Sequence, residues 1–185
     1  MTAKTGISLS LGLLLMAISC NPGSPVDQRE GLNNIPMDTA ANKIQINRML
    51  DSFNLAAAQA DYAGYFNYFT DDALFIGTDA TEHWDKKAFM IWAKPYFDHK
   101  KTWKFKSLKR SIYFGRNPDI AWFDELLSTQ MKICRGSGVV VKVNNEWKVQ
   151  QYVLSVTVPN EDIDAIIQIK APKEDSLIEQ LSTQP

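Results

Sequence analysis

DIAWFDELL (119–127), CRGSGVVVKV (134–143) and EWKVQQYVLS (146–155) follow one another with little between them. All three are rich in the β-branched, aromatic and aliphatic residues that suit strands. Only Asn144 and Asn145 separate the last two. Asparagine tolerates positive φ, which a two-residue hairpin turn requires. The spacing predicts three successive antiparallel strands. Gly136 and Gly138 occupy alternate positions of the middle strand and so face the same side, where glycine marks a bend or a close approach. Asp124 and Glu125 are neighbours in a strand and point to opposite faces. One of them is expected inside, the other toward solvent or a partner. Arg135 is placed to pair with whichever acid is buried, because an unpaired buried charge is costly.

Upstream, the pattern is helical. Asp38 and Thr39 are candidate N-caps for a helix that presents Ile46, Met49, Leu50, Phe53 and Ala57 on one face. Asp61 caps a second helical segment carrying Tyr62, Tyr65, Phe66 and Phe69. Thr70, Asp71 and Asp72 read as a turn, and Ala73 to Ile76 as a short strand. Asp79, Glu82, His83 and Trp84 fall on a loop. Asp85 caps a third helix expected to bury Phe89, Trp92, Ala93 and Tyr96 and to end or bend at Pro95. From Trp103 the period becomes strand-like. Lys100, Lys101, Lys104, Lys106, Lys109 and Arg110 alternate with the aromatics as a solvated face. Gly115 to Pro118 makes the next turn. Helices followed by antiparallel strands give an α+β domain. Trp84, Trp92, Trp103 and Trp122 are expected in its core.

The chain has 185 residues, 45% hydrophobic and 22% charged, with a formal net charge of −1. No basic stripe points to nucleic acid. At the N-terminus Lys4 precedes an apolar run from Ile7 to Ser19, too short to span a bilayer but suited to a signal peptide. It leads into Ala17-Ile18-Ser19-Cys20, which resembles a bacterial lipobox. Residues 1–19 are thus expected to be a lipoprotein signal peptide, Cys20 the lipidated residue, and residues 20–37 a tether. The expected location is the bacterial cell envelope, anchored to a membrane through Cys20. Cys134 is then the one remaining thiol and reads as a small buried apolar residue. The folded domain spans 38–160. A tail of one or two short helices follows over 161–185, with Ile163, Ile166, Ile167, Leu177, Ile178 and Leu181 spaced for docking on the domain or a partner.

His83 and His99 are the only histidines, and no metal-ligand spacing occurs. No metal is expected. Neither a phosphate-cradling glycine loop nor a Gly-x-Ser-x-Gly elbow is present, so no cofactor is expected either.

FIGTDATEHW (75–84), AKPYF (93–97), AWFDELL (121–127), CRGSGVVVK (134–142) and EWKVQQYVLSVTVPNE (146–161) together resemble the SnoaL-like proteins of the nuclear-transport-factor-2 superfamily, in particular their bacterial lipoprotein branch. The resemblance implies a cone of curved antiparallel sheet closed by the N-terminal helices, paired as a homodimer through its outer sheet face. Inside such a cone, members hold a cyclase or isomerase site, a ligand site, or nothing known. Many relatives keep a histidine four residues after the last-strand tryptophan; Gln151 stands there and cannot take a proton near neutral pH. The pocket is expected to be lined by Trp84, Asp124, Glu125, Arg135 and Gln151, with Asp79, His83 and Asp124 as candidate catalytic residues. The favoured reading is a membrane-anchored domain that binds a small, partly apolar molecule. The alternatives are an isomerase- or cyclase-like enzyme with a carboxylate base, and a non-catalytic dimeric interaction protein.

Overall fold

The computed structural model describes Met1 and residues 39–183. Cys20, the expected leader and tether, and the cap candidate Asp38 lie outside the described residues. Helix α1 (Thr39–Ala58) buries Ile46, Met49, Leu50, Phe53 and Ala57, the stripe read from the spacing. Asp61 Oδ1 accepts from the Gly64 amide at 2.9 Å and starts α2 (Tyr62–Asn67). Strand β1 (Phe69–Ile76) follows directly, so Thr70, Asp71 and Asp72 are part of a strand rather than a turn. A register shift between Phe69 and Leu74 accommodates them. It leaves Phe69 and Ala73 buried and the two acids exposed.

The segment expected as a loop contains a short strand, β2 (His83–Asp85), antiparallel to β1. Asp85 caps α3 (Lys86–Asp98) by accepting from the Ala88 amide at 2.7 Å. Pro95 does not end this helix. Ile91, whose carbonyl loses its helical donor there, is 69% exposed and open to water. The buried stripe is Phe89, Ala93 and Phe97, while Trp92 and Tyr96 sit half-exposed on its edge. The helix is therefore rotated slightly from the expected face.

Strands β3 (Lys106–Phe114), β4 (Ile120–Thr129), β5 (Lys132–Val143) and β6 (Glu146–Val156) complete a sheet ordered β2-β1-β6-β5-β4-β3. The sheet is mixed, not wholly antiparallel. After β1 the chain crosses α3 and runs through three strands before β6 returns beside β1 in the same direction. Asn144 and Asn145 have φ of 50° and 68°, the double positive value that the tight turn between β5 and β6 requires.

Two bulges decide which side chains face inward. Leu108 is the extra residue between the pairs Ser107–Leu127 and Lys109–Leu126. Before it Ser107 faces the helices, and after it Arg110 and Ile112 do. Arg110, expected in solvent, is buried for this reason. On β6, Gln150 is the extra residue between Val139–Gln151 and Val140–Val149.

Between sheet and helices lies an aromatic core. Phe53 stacks on Tyr65 with centroids 4.6 Å apart, and Phe75 on Phe89 at 4.0 Å. Burying each such side chain contributes about 1.5–3 kcal/mol. Gly138 admits Phe123 to this interior, since a Cβ there would lie 3.0 Å from its ring and 2.2 Å from the Gln151 carbonyl oxygen. Trp147, not one of the four expected tryptophans, is the buried indole. Cys134 is fully buried, as expected of a small apolar residue.

The tail is one helix, α4 (Ile163–Ser182), with Pro172 inside it and no buried residue. Ile163, Ile167, Ile178 and Leu181 are exposed, while Ile166 and Leu177 are partly covered.

Candidate functional site

At the end of the sheet where β1 turns into β2 and β4 into β5, the aromatic filling stops short of the surface. A cavity of about 140 Å³ remains. Phe75 and Trp84 reach it from β1 and β2, Phe89 and Trp92 from α3, Trp103 and Phe105 from the approach to β3, and Leu154 from β6. Phe75 and Trp84 face each other across the β1–β2 pair, which puts both on the inner side. Trp103 packs edge-on against Tyr65 with centroids 5.6 Å apart, and burial pushes the Tyr65 hydroxyl well above its ordinary pKa. The Tyr65 ring thus backs the indole as a wall.

The polar part of the lining is small. It comprises Thr78, Glu82 and Gln130. Glu82 Oε2 accepts from the Asp79 amide at 3.2 Å, which folds the side chain back over Gly77. A Cβ on Gly77 would lie 2.1 Å from that oxygen, so glycine makes the room.

The strongest electrostatic feature lies outside this cavity. Glu125 is 1% exposed. Its Oε2 accepts from Arg110 Nε at 2.8 Å, and its Oε1 from the Tyr152 hydroxyl at 3.0 Å. Arg110 Nη1 also donates to Asn47 Oδ1 at 3.1 Å and Asp51 Oδ1 at 2.9 Å, tying β3 to α1. Burial first, then the Glu125 charge, raises the Tyr152 pKa well above its ordinary value. Tyr152 therefore remains a donor. Gly136 leaves room for it, since a Cβ there would lie 2.4 Å from the Tyr152 oxygen. With Arg110 on one oxygen and Tyr152 on the other, Glu125 is enclosed in a structural network away from the cavity.

Of the residues expected to line the pocket or act in catalysis, Trp84 lines the cavity and the others do not. Glu125 is the inward acid of its pair, but its partner is Arg110 rather than Arg135. Arg135 is on the outer face, 54% exposed, and lies 3.8 Å from the outward acid Asp124. Asp124 also accepts from the Tyr113 hydroxyl at 3.2 Å. Gln151 is outward too, because its neighbour Tyr152 is fully buried and successive side chains alternate. Its inability to take a proton therefore says nothing about the cavity. His83 pairs with Ile76 on the outer side of the β1–β2 ladder and is exposed. Asp79 is exposed, and Thr81 donates to it through both hydroxyl (2.6 Å) and amide (2.9 Å). These bonds hold its carboxyl below the usual range, which makes it a weak proton acceptor. Sequence reasoning put Glu82 on the loop beside Trp84 and Phe89, Trp92 and Trp103 in the core, and did not single out Phe75. The available signal was the tryptophan pair 84 and 92 flanking a helix start.

Larger openings elsewhere are surface grooves. The one beside Asp71, Lys86, Lys142 and Lys148 has about 550 Å³, but Lys86 pairs with Asp71 at 3.0 Å and Lys148 with Glu146 at 3.3 Å. Lys142 lies over the Trp147 ring. Among the described residues no group of three or more histidine, cysteine or acidic side chains converges for a metal.

The family model of the SnoaL-like domain matches residues 46–159. The chain belongs to the SnoaL-like domain family. No curated protein matches this SnoaL-like chain. Among solved structures, it is similar to an NTF2-like protein of unknown function from Pseudomonas putida, at 14% identity and TM-score 0.57, covering 66% of this chain and 92% of that one. An uncharacterised protein with a cystatin-like fold from Caulobacter vibrioides gives 10% identity and TM-score 0.56, over 70% and 99% of the two chains. A proposed dehydratase of the NTF2-like family from Streptomyces avermitilis gives 10% and 0.55, over 65% and 99%. At these identities the likeness is one of fold: a curved mixed sheet wrapped on helices, as the SnoaL-like chain has.

Proposed function

We propose that this SnoaL-like domain binds a small, partly apolar molecule at the cavity bounded by Trp84, Trp92 and Trp103. The observation that carries the reading is the lining itself. Aromatic walls with three polar side chains, at the end of a sheet whose interior is otherwise filled, follow the usual plan of a small-molecule site. Its 140 Å³ is below the several hundred typical of drug-sized ligands, and close to the roughly 150 Å³ that admits benzene in an engineered cavity. Thermal-shift screening of the domain with single-ring compounds tests this. A Tm rise that Trp92→Ala abolishes supports it, and no response to any such compound removes it.

Binding is favoured over catalysis because Asp79, His83 and Asp124 stand outside the lining and Glu125 is committed to Arg110. An isomerase- or cyclase-like activity would have to use Glu82, the single carboxylate of the lining. Loss of turnover in Glu82→Gln with ligand affinity retained would support that second reading.

Two further features belong to the proposal. The lipobox-like Ala17-Ile18-Ser19-Cys20 supports anchoring of the mature chain in a bacterial envelope membrane. Mass spectrometry of the mature N-terminus should find a lipidated Cys20, and a free chain beginning elsewhere would refute it. A homodimer through the outer sheet face is supported by Leu108, Tyr113, Trp122 and Ile133, each 45–54% exposed. A face with that much exposed apolar area commonly meets a partner.

A further inference from the structure

Five of the six rings that line the cavity share nearly one orientation. Phe75 and Phe89 are inclined by 11°, Trp84 and Phe89 by 14°, Phe89 and Trp103 by 21°, and Phe89 and Trp92 by 22°. Trp84 and Trp92 are at 30° with centroids 4.8 Å apart. Rings in contact generally mix stacked and edge-to-face arrangements, and the interior of this same domain does so: Phe53 meets Phe69 at 80° and Tyr65 meets Phe66 at 84°. The common tilt therefore gives the ring faces around this slot-like cavity a defined plane. A flat ring aligned with it gains offset stacking on the walls, whereas a puckered ring of the same size does not.

The slot has chemically distinct ends. Trp92, Trp103 and Gln130 are shared between the cavity and an adjoining surface groove. Lys101 and Lys104 line that groove and not the cavity, and neither has an acidic partner among the described residues. Glu82 lines the cavity and not the groove. A ligand spanning both therefore meets an acceptor at one end and two unpaired cations at the other. Beside a cation an anionic group is favoured, and beside Glu82 a hydrogen-bond donor is.

We infer that the slot takes a planar single-ring aromatic acid bearing a hydroxyl or similar donor, with the ring among Phe75, Trp84, Phe89, Trp92 and Trp103, the donor toward Glu82, and the carboxylate toward Lys101 and Lys104. This rests on the cavity being a ligand site and adds the chemical class of the ligand.

Titration calorimetry on the full chain tests it with 4-hydroxyphenylacetate and three analogues, each removing one element. Binding of 4-hydroxyphenylacetate is expected to be at least tenfold tighter than that of 4-hydroxyphenylacetamide, phenylacetate or 4-hydroxycyclohexylacetate. The preference for acid over amide should vanish in Lys101→Ala/Lys104→Ala, and the preference for the hydroxyl in Glu82→Gln. These residues are exposed or pinned by a bond glutamine can keep, so folding is retained, and circular dichroism checks it. Equal affinities for acid and amide, or for the planar and puckered rings, would overturn the inference. Toluene separates it from the reading beneath it. If toluene binds and the acid gains nothing over it, the ligand class is wrong and the cavity stands. If neither binds, both fall.

Discussion

At the scale of single residues, Arg110, Glu125 and Tyr152 carry the largest local energies. Arg110 alone replaced by alanine leaves Glu125 buried without its cation, which should cost about 3–5 kcal/mol in urea unfolding. The apolar set R110M/E125L/Y152F removes the whole network and should cost far less, because no charge is then stranded. Tyr152 also sets a pH response. Its pKa is raised in the folded state above the ordinary 10.0, so the folded chain holds that proton more tightly than the unfolded one. The stability this contributes is complete below about pH 10 and falls as pH rises beyond it. Melting temperature should drop on that alkaline side, and Tyr152→Phe should flatten the drop, though Tyr65 continues to contribute. This triad was half legible in the sequence. Adjacent acids in a strand must diverge, and they do. What strand alternation could not show was the extra residue at Leu108, which reverses the parity of β3 and carries Arg110 inward. Arg135 was the nearer choice in sequence and the wrong one for that reason.

Among the elements, the hairpin between β5 and β6 was the plainest to read, because two consecutive asparagines between apolar runs have few other uses. Both adopt positive φ, which is cheapest for glycine. Asn145→Gly should therefore leave stability unchanged or raise it by up to about 1 kcal/mol, measured by chemical denaturation. Helix α3 was read correctly in its cap and incorrectly in its face. Apolar spacing alone could not distinguish Phe89, Ala93 and Phe97 from Trp92 and Tyr96, since all five are apolar or aromatic. The distinction matters, because the edge residues are those that border the cavity and groove. The tail was legible as helix, but not which of its apolar positions would stay exposed. As α4 buries no residue, truncation after Asp162 should change the unfolding free energy by less than about 0.5 kcal/mol. A larger loss would mean that α4 has a partner surface on the domain.

On the scale of the molecule, the family was legible from five short segments in order, while the site was not. Gln151 turns outward here, and the cavity is made from aromatics contributed by β1, β2, α3 and the approach to β3, a convergence that no local pattern encodes. The outer face, with Trp122 stacked on Tyr113 at 6.1 Å, is where the proposed homodimer would meet. Trp122→Glu should halve the mass seen by light scattering if it does, and leave it unchanged if the wild-type chain is monomeric. The ligand reading has its own direct observation. The five tryptophans divide by position: Trp84, Trp92 and Trp103 around the cavity, Trp122 on the outer face and Trp147 buried elsewhere. Nitrogen–proton spectra of the indole N–H groups during titration with toluene resolve all five at once. Shifts confined to Trp84, Trp92 and Trp103 are expected; no shift at saturating toluene, or shifts centred on Trp122 or Trp147, would contradict a ligand site in this cavity.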